Sequence, residues 1–462
     1  MISGSVSQGR NTIKLNATPM KLSTAVVALG SLGILAALFM GWLTWRAFLP
    51  LQIAYNEAWN AWLADVALGT RPLYPAANEF IVNNYPPLSF YLIALIAKVT
   101  GFDPLYVGRV LSLLATATGG LAAALCIRRF GGTRVAAALG ALWYIAALAR
   151  FHDAYVGMND PNLLALALMG LALAWFLSRL ENRRWVEPAI IAMVVAGFFK
   201  HTLVAIPLTA LFWLAASDRR LAFRAALIGA AASAIGLALC WLAYGGAFFE
   251  QMLIPREMNP RLAYLALDRL QWIVPALAIV GIWAWYDRRG PAARFVLVLA
   301  TLSFVSLMLQ RMGDGVDDNA QFELVFAAAL GLGLAFDSVG VVPLARRLGA
   351  DRVRIAIVIV LVARLLWPVR PEPFLLLASP AYRQGIADNI EIRNQEVARI
   401  KAMPGPVTCS IMTVCRQAGK PYVWDHFWMT QRAAMTHGDF SKLEAEARAQ
   451  GIRFETIDSR TW

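Results

Sequence analysis

A chain of 462 residues with 59% hydrophobic and 15% charged side chains departs from soluble domains, in which about a quarter of residues are charged. The composition is that of a polytopic membrane protein. Its formal charge of +13 lies largely in short arginine-bearing loops between apolar runs, a pattern of membrane anchoring that argues against a nucleic-acid partner.

No charged residue occurs from Leu22 to Trp45, enough for a helix through about 30 Å of hydrocarbon. The run is about twice as long as a signal-peptide core and is followed by no clean small-residue cleavage site, so a retained first span is expected. Next comes a polar, aromatic and proline-rich stretch, "YNEAWNAWLADVALGTRPLYPAANEFIVNNYPPLSF". A first loop of such length exceeds an ordinary structureless connection and predicts interfacial helices around a cavity. Further apolar segments lie near 106–127, 133–150, 161–178, 187–199, 202–216, 221–245, 269–286, 291–309, 321–341 and 353–368. Those at 187–199 and 202–216 are short and read as a hairpin with Lys200 and His201 at its turn.

Orientation follows from the arginines, which mark cytoplasmic loops. The relevant groups are Arg128, Arg129 and Arg134; Arg179, Arg183 and Arg184; Arg219, Arg220 and Arg224; Arg288, Arg289 and Arg294; and Arg346, Arg347, Arg352 and Arg354. All five share one side only if 86–100 makes no net crossing and 187–216 crosses twice. That choice predicts about eleven spans, within a range of about 11–13 transmembrane helices. It puts the N-terminus on the cytoplasmic side of the membrane and the C-terminus outside. Residues 1–368 would form the membrane domain.

Beyond residue 369 the apolar runs stop. "IEIRNQEVARIKAM" has helical recurrence, "PVTCSI" reads as a strand, and "DFSKLEAEARAQGIRFETI" as a capped helix, a glycine stop and a second strand. Residues 369–462 are therefore expected to form a small extracytoplasmic α/β domain. Cys126 and Cys240 lie in apolar spans and read as packing residues. Cys409 and Cys415 share a compartment that permits a disulfide, but their close spacing makes two free thiols the favoured reading.

The outer polar loops hold the candidate chemistry. Glu57, just past the first span, has the partly desolvated setting that suits a carboxylate to accept a hydroxyl proton; the alternative is the N-terminal charge of an interfacial helix, with Asn56 at the helix start. Lys200 is a cation between two apolar pieces, expensive there unless an anion visits; a lipid phosphate would meet that need, with His201, Arg256 and Arg311 as further candidates. Snorkelling to ordinary headgroups is the competing reading. Asp153 and Asp160 open another outer loop, Asp160 also suiting a helix cap before "LLALAL". Asp65, Glu79, Asn83, Asn84, Tyr85 and Asp160 are candidate sugar or acceptor contacts, although Asn83 to Pro87 equally suit a stiff turn. No cysteine or histidine pattern suggests zinc; a divalent ion held by Glu57 and Asp153 is the one metal site considered, and no other cofactor is expected.

The stretches "YNEAWNAWLADVALGTRPLYP", "NNYPPLSFYLIALIAKVTG", "RVLSLLATATGGLAAALCIRRFGG", "GFFKHT" and "QFELVFAAALGLGLAF" together resemble bacterial integral-membrane glycosyltransferases of the GT-C class. The resemblance is to the superfamily of protein O-mannosyltransferases and aminoarabinose lipid A transferases, over roughly residues 20–345. It implies a polyprenyl-phosphate sugar donor reached from the membrane, and transfer on the outer face with inversion. The acceptor would be a lipid, a glycan or a protein. Family members place an Asp-Glu pair, or an Asp, in the first outer loop as the acceptor-activating base. Here the place reads Asn56-Glu57, so only the glutamate carries over; Asp65, Glu79 and Asp153 are the other carboxylates in view. The resemblance also makes the Lys200 loop a donor-phosphate contact. A lipid-glycan ligase or polymerase would be expected to carry its long polar loop late in the chain, and a transporter to show matched interrupted spans. Neither feature is evident.

Overall fold

The computed structural model describes residues 17–461 apart from 70, 77, 181–184 and 437. Arg183 and Arg184, two of the orienting arginines, lie outside the described residues. In chain order the helices begin with α1 (Leu22–Ala47), α2 (Asn56–Ala67), α3 (Leu88–Thr100), α4 (Pro104–Arg129), α5 (Arg134–Phe151), α6 (Pro161–Arg179), α7 (Glu187–Gly197) and α8 (Ala205–Ser217). They continue with α9 (Arg219–Tyr244), α10 (Gly246–Met252), α11 (Pro260–Ala266), α12 (Val274–Tyr286), α13 (Pro291–Arg311), α14 (Phe322–Asp337), α15 (Pro343–Leu348) and α16 (Ala350–Leu366). The C-terminal segment contains α17 (Glu372–Ala378), α18 (Pro380–Ala402), β1 (Val407–Cys409), α19 (Met412–Gln417), α20 (His426–Met435), α21 (Phe440–Ala449) and β2 (Arg453–Glu455).

The membrane core is built around α14, every residue of which is buried. Helices without water between them gain little from hydrophobicity and associate by close backbone approach through small residues. Gly140 on α5 shows this: a Cβ there would lie 2.8 Å from the Ala329 carbonyl of α14 and 2.5 Å from Ile127 of α4. The apolar runs thus become a packed bundle only where glycines and alanines let their backbones meet.

Polar contacts tie the helix ends together on one face. Thr133, which caps α5, donates through its N–H (2.7 Å) and hydroxyl (2.9 Å) to Asp337 at the end of α14. Arg354 on α16 donates to the carbonyls of Phe336 (2.9 Å), Pro19 (2.8 Å) and Thr18 (2.6 Å). Arg224 on α9 pairs with Glu187 at the start of α7. The arginine-bearing loops around 134 and 354 therefore meet at the end of α14, while Arg224 joins the start of α7.

Helix number is the correction. Among the described residues seven helices are long and apolar enough to span, and eight if α11–α12, bent by 85°, counts as one broken span. The expected eleven are not reached, because α7, α8 and α16 have only 11, 13 and 17 residues, the first two far too short to span. At 1.5 Å per residue, 11 to 13 residues extend about 17 to 20 Å, well short of about 30 Å of hydrocarbon. The region 187–216 is thus a pair of short helices whose turn, 198–204, buries Lys200 and Leu203 while His201 and Val204 stay exposed. Helix α3 makes no net crossing: Asp65 near the end of α2 and Asp103 at the cap of α4 both pair with Arg416 of α19, at 2.9 and 2.8 Å.

In the C-terminal segment β1 and β2 pair in parallel, Val407 opposite Arg453 and Cys409 opposite Glu455. Asp439 caps α21 and Gly451 stops it at φ +85°. Cys409 and Cys415 form a disulfide, their Cα atoms 5.7 Å apart, contrary to the free-thiol reading. The end of β1 and the first turn of α19 fold back on each other, bringing the two side chains within bonding range.

Candidate functional site

A cavity of about 930 Å³ opens between the first loop, the 198–204 turn, the loops around 256 and 314, and α20. Asn56, Asn84, Tyr85, Lys200, His201, Arg256 and Arg311 all line it. Sequence reading therefore located the cationic side of this space, although these residues span two hundred positions and more.

Lys200 is 4% exposed. Its Nζ sits 3.2 Å from the centroid of the Tyr85 ring, and no carboxylate among the described residues lies within 4 Å of it. Such an ammonium is attracted by the ring face without being neutralised. Asp160 lies just beneath, 6% exposed, capping α6 through a 2.8 Å bond from the Asn162 N–H. Its Oδ2 has no hydrogen bond. Asn56 and Tyr85 face this carboxylate, and the Lys200 charge acts on it. Burial raises the Asp160 carboxyl above the ordinary carboxylate range, against the pull of Lys200 and the Asn162 hydrogen bonds. Asp160 is therefore the helix cap foreseen, its carboxyl set among Asn162, Asn56, Tyr85 and Lys200.

Glu57 is placed elsewhere. It is fully buried, its two oxygens held by Arg109 at 2.6 and 2.9 Å and by the Ile53 N–H at 2.6 Å. The remaining Arg109 donors bind the carbonyls of Ala47, Leu49 and Leu51. With both oxygens held by buried donors, Glu57 clamps Arg109 inside the protein and does not line the cavity in which a base was expected. Successive helical residues point about 100° apart, so α2 turns Asn56 to the cavity and Glu57 into the protein.

Besides Asp160, which is not among the residues lining the cavity, four more candidates also fall outside it. Asp153 pairs with Arg370 (2.7 Å) and Arg46 (3.7 Å). Glu57 and Asp153 are thus engaged separately by arginines. Among the described residues no group of three His, Cys, Asp or Glu is arranged to hold a metal. Asn83 is a turn residue: its side chain donates to the Leu73 carbonyl (3.0 Å) and accepts from the Tyr85 N–H (3.2 Å). Asp65 and Glu79 line a separate cleft of about 1100 Å³ between the first loop and the C-terminal segment.

Several cavity residues were not singled out from sequence. Asp425 accepts from the Tyr55 hydroxyl (2.9 Å), the Tyr422 hydroxyl (2.8 Å) and the Trp428 N–H (3.0 Å). Burial raises its carboxyl above the ordinary range, and these three donors oppose the rise. Phe427, Trp428 and Gln431 follow on α20 and also line the cavity, as do Asp314 and Asp317. The run "WDHFW" at 424–428, an aspartate cap amid aromatics, was the available signal.

An apolar groove of about 380 Å³ adjoins this cavity and shares His201 and Met252 with it. It is walled by α7 and α8 and by Ala226, Gly229, Ala230 and Ser233 of α9. A polar chamber with unpaired cations thus meets a narrow apolar channel at the 198–204 turn, an arrangement matched to a ligand with a phosphate and a hydrocarbon chain.

The dolichyl-phosphate-mannose-protein mannosyltransferase family model matches residues 84–244, which include Asn84, Tyr85, Asp160, Lys200 and His201. No curated protein matches the chain by sequence. Among solved structures, ArnT from Cupriavidus metallidurans bound to undecaprenyl phosphate is 14% identical with a TM-score of 0.56, over 91% of this chain and 89% of that one. The apo form of that ArnT gives the same identity and TM-score over 86% and 84%. The archaeal oligosaccharyltransferase AglB from Archaeoglobus fulgidus, in complex with an inhibitory peptide and a dolichol-phosphate, is 12% identical with a TM-score of 0.55, over 88% and 65%. With the helix bundle and the cavity described above, these likenesses make the chain a polytopic membrane protein of the GT-C fold, related through residues 84–244 to the dolichyl-phosphate-mannose-protein mannosyltransferases.

Proposed function

We propose that this protein is a glycosyltransferase that moves a sugar from a polyprenyl-phosphate donor to a hydroxyl of a lipid, glycan or protein acceptor. The observation that carries the reading is the junction at 198–204, where Lys200, buried and with no carboxylate within 4 Å among the described residues, stands at the meeting of polar cavity and apolar groove. The donor's phosphate would lie against Lys200 and Arg256 and its hydrocarbon chain in the groove. By the arginine rule the cavity faces away from the cytoplasm.

In the step itself the acceptor oxygen bonds to the anomeric carbon as the bond from that carbon to the phosphate oxygen breaks. The acceptor's proton passes to Oδ2 of Asp160, and the bonding electrons leave with the polyprenyl phosphate. A single displacement of this kind inverts the anomeric centre. Lys200 and Arg256 stabilise the charge that grows on the leaving phosphate, which favours the transition state over the ground state. Asn56, in the place where relatives carry an aspartate, is uncharged at any working pH and would orient a hydroxyl instead of deprotonating it. The reaction needs no nucleotide, because the donor carries its own leaving group.

The test is donor binding followed by transfer. Purified protein in lipid nanodiscs should bind undecaprenyl monophosphate, and Lys200→Ala should weaken that binding and lower the initial rate of radiolabelled sugar transfer from membrane extracts. Folded wild-type protein that binds no polyprenyl phosphate would sink the proposal. Lys200→Arg should recover part of the affinity, since a guanidinium keeps the charge but presents its donors in a planar fork.

A further inference from the structure

The second cation of the cavity, Arg256, also lacks a carboxylate within 4 Å among the described residues. What holds it comes from the far end of the chain. Its Nη1 donates to the Asp314 carbonyl at 3.1 Å. The guanidinium carbon lies 5.0 Å from the Trp428 ring centroid and 5.7 Å from that of Phe427, both on α20. Aromatic faces attract a guanidinium while leaving its charge uncompensated. A carboxylate would instead neutralise it and occupy its donors.

Helix α20 is itself fixed over the cavity by several independent contacts. Asp425 caps it and takes the Tyr55 and Tyr422 hydroxyls. The Asp425 N–H donates to the Phe80 carbonyl at 2.7 Å. Gln431 joins α20 to the Asp314 carboxylate and to the Glu257 N–H. Gly315, at φ +70°, passes so close to Phe427 that a Cβ there would lie 2.2 Å from the ring. The first loop, the loops around 256 and 314, and the C-terminal segment thus converge on one guanidinium.

We propose that Phe427 and Trp428 are positioning residues for Arg256, and that through them the C-terminal segment is part of the donor-phosphate site. This rests on the donor reading above and extends it: a segment that otherwise looks like a cover or an acceptor module sets the affinity for the lipid phosphate. Held between two rings and one carbonyl, the Arg256 side chain keeps its remaining N–H groups directed to the cavity and loses less rotamer freedom when the phosphate arrives.

The experiment measures binding of undecaprenyl monophosphate to the full chain in zwitterionic lipid nanodiscs. Trp428→Leu and Phe427→Leu should each weaken binding by about 3- to 30-fold, the range expected for losing a cation–ring contact at a partly desolvated site. Trp428→Phe should keep most of the affinity. In an Arg256→Ala background, W428L and F427L should cause no further loss, whereas Lys200→Ala should still do so. Phe427 is only half-buried, so F427L reports even if W428L disturbs folding. Wild-type affinity in folded F427L and W428L, or losses that add fully to that of R256A, would overturn the proposal. Absence of binding by the wild type would overturn the donor reading itself, and this inference with it.

Discussion

Asn56 and Glu57 are neighbours in sequence with opposite fates, and the difference lies in what each can reach. Glu57 satisfies five-donor Arg109, a guanidinium with no exposure that would otherwise be an uncompensated buried charge. Removing one member of a buried pair typically costs about 3–5 kcal/mol. Glu57→Ala should therefore lower the denaturation midpoint sharply, and Glu57→Gln less so, because its amide can still accept from Ile53 and Arg109. Donor affinity per folded molecule should stay near wild type in E57Q; thermal unfolding and binding measured on the same sample separate the two effects. Asp160→Asn should do the reverse, keeping binding within a few-fold while turnover falls by about 10²–10⁴, as for loss of a general base. The base works deprotonated and its carboxyl is raised by burial, so the wild-type rate should fall as pH drops through that raised value. The acid limb should vanish from the residual activity of D160N. A pH profile unchanged by D160N would assign the limb to another group.

At the scale of elements, short helices create the site. Full-length versions of α7 and α8 would carry the 198–204 turn out to the bilayer surface, where a lysine would meet water and headgroups. Ending at 11 and 13 residues, they leave Lys200 of that turn buried beside the apolar groove. Runs of that length were visible in sequence, but length alone does not say whether a short piece tilts, breaks or stops; packing against α6, α9 and α13 decides. The docking of α20 is the other element-level device. Gly315→Ala adds a methyl where the backbone is left-handed and Phe427 occupies the space, at a cost of about 1–3 kcal/mol. The expected result is faster proteolysis within 420–461 and weaker undecaprenyl monophosphate binding, with the membrane helices unaffected. Equal protease resistance in G315A would show that α20 is anchored elsewhere.

For the whole molecule, sidedness is the property that sequence addresses most directly. Cysteines placed singly at 134 and 440, in a background lacking the native ones, should differ in intact cells: an impermeant thiol reagent should label 440 and spare 134. The opposite pattern would invert the orientation. Composition, arginine placement and hydrophobic run length depend only on the chain and on bilayer physics, so the membrane class, the non-crossing 86–100 piece and the strand and helix pattern after 369 were legible without coordinates. Lys200, Arg256 and Arg311 were legible too, since a cation beside apolar runs is costly wherever the chain folds, and His201 followed as the neighbour of Lys200. The identity of the carboxylate was not. Whether Glu57, Asp153 or Asp160 faces the cavity depends on which arginine each meets, and those partners lie 52 positions away for Glu57 and 217 for Asp153. Nor could local pattern show that Tyr55 meets Asp425 across 370 residues, because hydrophobic periodicity records which face of a helix is apolar and carries no information about the partner that buries it. The sequence by itself determined that polar outer loops and cations would meet at a membrane boundary; only the tertiary structure drew Glu57 and Asp153 into arginine pairs and set Asp160 within reach of the Lys200 charge, because those partners come from distant parts of the chain.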